Sequence, residues 1–160
     1  MRYVLIDRIT SLERGRALTA IKNVSLSDGM VVRLAPGVSA LPASMVLEAM
    51  AQAAGLLVIA STSEPAQPVL AKVQPFIAHG DATAGDRIVL RAELDELRRE
   101  GARARVTASV DERLIAEAAI FLGLMPIEGE DREDRLALVR ERLADTFPDW
   151  FSSMAASVGR

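Results

Sequence analysis

Residues 41–58 read LPASMVLEAMAQAAGLLV, and apolar side chains cover almost every face of the helix that this run predicts. Pro42 suits its first turn, where a missing N–H costs nothing, and the pattern runs to about Ala60. A helix apolar all round is one that other structure wraps. On both sides of it the period changes to two. Residues 17–24 set Leu18, Ala20, Lys22 and Val24 against Ala17, Thr19, Ile21 and Asn23, which predicts a strand. A short apolar run at 2–13 precedes it across a turn at Arg14-Gly15, and Ser27-Asp28-Gly29 signals a turn after it. A loop containing Pro36 and Gly37 then leads to the helix. Beyond a polar, Pro-containing loop at 61–68 come strand-like segments at 69–78, 87–98, 102–110 and 113–125. The third alternates Arg103, Arg105, Thr107 and Ser109 with Ala104, Val106, Ala108 and Val110. Short turns at Glu100-Gly101 and Asp111-Glu112 predict antiparallel hairpins. Strands, one long buried helix and a meander of strands are most economically satisfied by one curved antiparallel sheet wrapped around the helix, an α+β layer fold.

The last segment departs from this pattern. Residues 128–147 are acidic at first and amphipathic afterwards, with Leu136, Val139, Leu143 and Phe147 on one helical stripe that Pro148 ends. Trp150, Phe151 and Met154 follow. The division expected is a domain over 1–125 and a helical C-terminal extension over 126–160, which packs on its own domain or across a dimer, or docks a partner protein.

Composition narrows the chemistry. The chain has 160 residues, half of them apolar, which suffices for one domain with a sizeable core. A net charge of −3 gives no reason to expect nucleic acid. Without cysteine there is no thiol catalysis, disulfide or Cys-ligated metal, and the absence fits a cytoplasmic protein. The N-terminus lacks a signal-peptide pattern, and the apolar helix is interrupted by Gln52 and short for a bilayer, so no membrane is expected. One histidine, His79, cannot make a multi-His metal site, and no Gly-rich phosphate loop is present, so no cofactor is expected.

Several ordered segments carry a resemblance. MVLEAMAQAAG (45–55) is similar to the central helix of the 3-hydroxyacyl-[acyl-carrier-protein] dehydratases of fatty acid synthesis. IDRITSLERGRALTAIKNVSLSD (6–28) is similar to their opening strands, ATAGDRIVLRAEL (82–94) to a Pro-Gly-Asp turn and its strand, and ARVTASVDERLIAEAAI (104–120) to their last hairpin. The resemblance spans roughly residues 3–125 and implies the hotdog fold. It further implies a dimer with edge-to-edge sheets and two tunnels at the interface, each accepting an acyl chain on a phosphopantetheine arm. A His of one protomer then works at C2, a carboxylate on the other protomer's helix handles the 3-hydroxyl, and a backbone N–H near the helix start polarises the thioester carbonyl.

Carried over residue by residue, the resemblance puts Glu48 at the catalytic carboxylate, four residues before Gln52. In an apolar tunnel desolvation would favour the protonated carboxyl, the form a general acid needs. The family's His-Phe-Pro-Gly corresponds to Leu34-Ala35-Pro36-Gly37, so Leu34 stands at the histidine position and cannot move a proton. Ala43 replaces the family's Gly after the second Pro. Leu34, Pro36, Gly37, Ala43 and Gln52 are the expected substrate-binding positions. His79 could substitute for the base only through a rearranged loop, and a rim or solvated role is expected of it.

Three functions stay open. The chain is a dehydratase-like subunit, inactive alone or lending Glu48 to a site whose His comes from a related partner chain, as in a specialised acyl or polyketide-type pathway. It is an active dehydratase, isomerase or hotdog thioesterase using Glu48. Or it is a non-catalytic module binding an acyl group or its carrier. The partner expected is acyl-carrier protein or a CoA thioester. Arg98, Arg99, Arg103 and Arg105 could steer an acidic carrier, although an ordinary solvated hairpin is the plainer account of them.

Overall fold

A computed structural model describes residues 4–62 and 66–126, together with Ala144, Phe147 and Pro148. The elements run β1 (Arg8–Glu13), β2 (Ala17–Asn23), β3 (Val32–Ala35), β4 (Val38–Leu41), α1 (Ala43–Ser61), β5 (Ala66–Ala78), β6 (Ala82–Thr83), β7 (Arg87–Leu97), β8 (Gly101–Val110) and β9 (Arg113–Pro126). Six strands form an antiparallel sheet in the order β1-β2-β7-β8-β9-β5. Its inner face packs on α1, the hotdog arrangement that the resemblance implies.

Alternation explains which face turns inward. In β2, Leu18 and Ala20 are buried, as are Ile88, Leu90 and Ala92 of β7 and Ala104, Val106 and Ala108 of β8. They meet Met50, Ala53, Ala54, Leu57 and Val58 of the helix in one core. Burial at roughly 25 cal/mol per Å² makes this contact the main source of stability. Length and composition alone would let α1 cross a bilayer, at 19 residues and mean hydropathy 1.7. Instead half of it is enclosed by the chain's own strands.

One feature corrects the expected pattern and a second adds to it. The stretch around Pro36 and Gly37 is not a loop but a hairpin of four-residue strands, and it joins β6 in a second sheet of order β3-β4-β6. Ala35 pairs with Val38, so Pro36-Gly37 alone makes the turn, with Gly37 at φ +77°. Pro at the second and Gly at the third position of a tight turn is the chemistry such a turn demands. Strands this short carry no readable alternation, which is why the sequence pattern gave a loop. The second feature concerns Lys22. Its place on the inward face is real, and among the described residues it is the one buried charged side chain, 5% exposed.

Strand β5 forms one edge of the large sheet, pairs with β9 on its other side, and exposes Val69, Leu70 and Ile77. The Gln74–Pro75 peptide within it is cis. The helix expected over the extension lies outside the described residues, except that Phe147 is 7% exposed and belongs to the main core cluster.

Candidate functional site

The two ends of α1 are built differently. At its C-terminal end the β1–β2 turn closes over the helix. Arg14 Nε donates to the Ala60 carbonyl at 2.7 Å, and the Gly15 N–H donates to Ser61 Oγ at 2.8 Å. The first satisfies a carbonyl that a helix end otherwise leaves open, and the second ties the turn to a hydroxyl that itself donates to the Leu57 carbonyl. Among the described residues the N-terminal end has no such cover. Pro42 is the N-cap residue, no side chain caps the first turn, and Ala43 and Ser44 are exposed. The Met45 and Val46 N–H groups donate to the Pro42 carbonyl, and the positive end of the helix dipole lies at this end.

Glu48 lies just over one turn into the helix and is exposed in the single chain. The enclosing apolar tunnel expected from the resemblance is therefore not supplied by this chain's own sheet around that carboxylate. Gln52 Nε2 donates to Glu48 Oε1 at 3.1 Å, while Gln52 Oε1 accepts the backbone N–H of Leu5 at 2.9 Å. The structure thus brings two of the expected site residues together. It holds them against the N-terminal segment, a contact separated by 47 positions that no local pattern signals.

Leu34, Pro36 and Gly37 sit on the β3–β4 hairpin and Ala43 opens the helix that follows it. The hairpin exposes apolar side chains beside Arg33: Leu34 is 53% exposed, and Val32 and Val38 are also exposed. Where the resemblance expects a proton-transferring imidazole, the chain offers a branched alkyl group to its surroundings.

The route into this hairpin is fixed by a polar clasp that the sequence reading missed. Lys22 Nζ reaches Asp28 Oδ2 at 2.9 Å, and the same oxygen accepts the Ser25 N–H at 3.1 Å. Burial by itself would raise the Asp28 carboxyl. The Lys22 hydrogen bond, the Ser25 N–H and the Lys22 charge outweigh it and hold that carboxyl below its ordinary value. A signal for the clasp existed in the lysine on an otherwise apolar strand face, since a buried ammonium needs a counter-charge.

His79 does not approach Glu48. It follows β5, its N–H donates to the Ile115 carbonyl, and its Nε2 lies 2.8 Å from Glu117 Oε1. Glu117 projects from β9 on the sheet face away from the helix, and both side chains are about two-fifths exposed, at 38% and 44%. The expected alternatives for His79 are a rim or a solvated position, and what the structure shows is a partly exposed ring beside Glu117. The arginines of the β7–β8 hairpin are largely neutralised at short range. Arg103 and Arg105 share Asp95, Arg98 pairs with Glu96, and the centre of the Phe121 ring lies 5.4 Å from the Arg103 guanidinium and 5.9 Å from Lys72 Nζ. A depression of about 350 Å³ beside them is lined by Glu96, Arg98, Arg103 and Phe121 among others, and Glu48 is not among its lining residues. Among the described residues no three His, Cys, Asp or Glu side chains group as a metal ion requires.

Comparison with known proteins agrees with this geometry. Residues 1–119 match the family described as FabA-like domain. The 3-hydroxyacyl-[acyl-carrier-protein] dehydratase FabZ of Listeria monocytogenes is 30% identical over 123 residues, covering 76% of this chain and 85% of that one. Among solved structures, smu.793 from Streptococcus mutans bound to acetyl CoA superposes with a TM-score of 0.65 at 14% identity, covering 79% of this chain and 94% of that one. The dehydratase heterocomplex ApeI:P from Xenorhabdus doucetiae gives 0.63 at 14% identity, covering 84% and 89%. At such identities the two structures attest the fold, while the sequence match carries the kinship. A buried helix with one outward carboxylate, a sheet curled around it and a match over residues 1–119 converge: the chain belongs to the FabA-like family of hotdog dehydratases.

Proposed function

We propose that this protein is a dehydratase-like subunit of acyl thioester metabolism that supplies Glu48 to a site completed by a second, related chain carrying the histidine. The observation that carries the reading is the pairing of an outward-facing Glu48 with an exposed, proton-inert Leu34 on the hairpin beside the open helix end. Half a site is present and half is not. The long β5 edge supports a second chain, because an exposed apolar strand with unpaired backbone groups is a template for pairing. The heterocomplex of ApeI:P offers a precedent on the same fold.

In such a site the partner's base takes the proton from C2 of a 3-hydroxyacyl thioester. The C–H pair becomes the C2=C3 bond, the C3–O bond breaks, and Glu48 protonates the departing hydroxyl, so water and a trans-2-enoyl thioester leave. The proton on the partner's base returns to Glu48 through solvent. The N–H groups at the uncapped start of α1 are suited to the thioester oxygen as charge builds on it. The carrier is acyl-carrier protein or CoA, the setting is the cytoplasm, and the site's second half comes from a heterodimer.

A second reading has one observation in its favour. Glu48 accepts a hydrogen bond from Gln52, which suits an ionised carboxylate acting as base on water, the chemistry of a hotdog thioesterase. The test compares the purified chain with its Glu48→Gln and Leu34→His variants on crotonyl and 3-hydroxybutyryl thioesters, following enoyl absorbance and free thiol together. The expected result is a silent wild type and hydratase activity in Leu34→His. Wild-type turnover lost in Glu48→Gln would instead establish a self-sufficient enzyme, and thiol release would make it a thioesterase.

A further inference from the structure

We propose that Gln52 is the positioning residue for Glu48, and that the backbone of the N-terminal segment sets its direction. A backbone N–H can only donate. The Leu5 N–H, 2.9 Å from the Gln52 side chain, therefore fixes the amide oxygen on its own side. The amide nitrogen is then turned toward Glu48, 3.1 Å from Oε1. An NH₂ group can only donate in its turn, so Glu48 Oε1 is held as an acceptor. The proton exchanged with a substrate is left to Oε2.

This arrangement is more than a solvent-exposed pair one turn apart on a helix, which by itself is weak and free to rotate. The donor at its root is rigid. Leu5 is fully buried and Ile6 nearly so. The Asp7 N–H donates to the Ile21 carbonyl at 2.9 Å, and the Asp7 carboxylate accepts from the backbone and side chain of Asn23. Residues 5–7 are thus held by the core and by β2 and cannot follow Gln52 if it swings. Direction passes in one sense, from strand to amide to carboxylate. Catalytic carboxylates depend on such outer support, since small misplacements cost large factors in rate. Gln52 in this role touches Glu48 and need not touch the substrate, in contrast to the substrate-binding role that the family resemblance gives it.

The catalytic part of this inference rests on the proposed function, and the hydrogen-bond part does not, so the experiment reads both. In the ¹⁵N-labelled full-length chain, the side-chain NH₂ signals of Gln52 are followed through roughly pH 3–6, where carboxyl groups titrate. They are expected to move with pH in the wild type and to stop moving in Glu48→Gln. Because Glu48 is exposed, this arm does not depend on a variant altered at Gln52 folding correctly. The second arm places Gln52→Met, of similar volume but without the donor, in the form that turns over thioester, Leu34→His or wild type. The expected change is a loss of about tenfold in kcat with KM nearly unaltered. NH₂ signals that ignore pH, or that move identically in Glu48→Gln, overturn the proposal whatever the activity. So does an unchanged kcat in Gln52→Met. Coupled signals with no turnover in any form would leave the positioning pair standing and sink the proposed function.

Discussion

The C-terminal and N-terminal halves of α1 belong to one helix yet answer to different demands. From Ala53 to Ala60 nearly every residue is buried, and the turn at Arg14-Gly15 closes the end by hydrogen bonds. From Ala43 to Gln52 the burial alternates with exposure, no cap is present, and the polar side chains are Ser44, Glu48 and Gln52. One half is held by area removed from water, the other by a few directed polar contacts. Stability is therefore expected to reside in the closed half and chemistry in the open half, a division common where a rigid scaffold presents a reactive group.

The comparison can be broken most directly at Leu57, whose side chain is fully buried in the closed half. Leu57→Ala should cost roughly 2–5 kcal/mol in urea or thermal unfolding, for lost transfer energy and the cavity left behind. A loss below 1 kcal/mol would mean that the closed half is not the stabilising one. Next in size comes the clasp that steadies the open half. Asp28→Asn leaves the Lys22 ammonium buried without its counter-charge and should cost about 2 kcal/mol, less than a fully enclosed pair would because Asp28 is partly exposed. Its pH signature has a defined sign. The folded-state carboxyl lies below its ordinary value, so the clasp stabilises fully above the unfolded value, about 3.9, and is lost as pH falls through the lower folded value. Unfolding free energy below about pH 4 should consequently fall more steeply in wild type than in Asp28→Asn. The smallest effect sharpens the contrast. Glu48→Gln should change stability by no more than about 0.5 kcal/mol, as expected of an exposed helix position, even though the same change is expected to remove the chemistry. A large loss of stability there would make Glu48 structural and end the division between the halves.

How the strands of the meander were legible is clear from β8. Its alternation of arginines and polar residues with alanines and valines survives intact in the structure, because a half-buried strand repeats its environment every two residues. The β3–β4 hairpin was not legible, since four-residue strands are shorter than the pattern needed to see them. The partner of Lys22 could be anticipated in kind but not by name. For His79, sequence proximity to the Gly85-Asp86 turn suggested the rim, but its engagement by Glu117 is a contact across 38 positions that only the β5–β9 pairing creates.

The sequence by itself determined the periodic parts: a helix greasy on nearly all sides, the strands on either side of it, and the inward face of β2, lysine included. Those follow from local geometry, in which side-chain direction repeats with a fixed period and burial sorts the residues. The ordered segments between residues 6 and 120 carried the family resemblance as well. Only the tertiary structure decided that Glu48 opens outward, that Leu34 stands on a separate small sheet, and that Gln52 is aimed by Leu5. Each of these depends on pieces of chain tens of residues apart meeting at a fixed angle, and no local period records where a distant strand will stop.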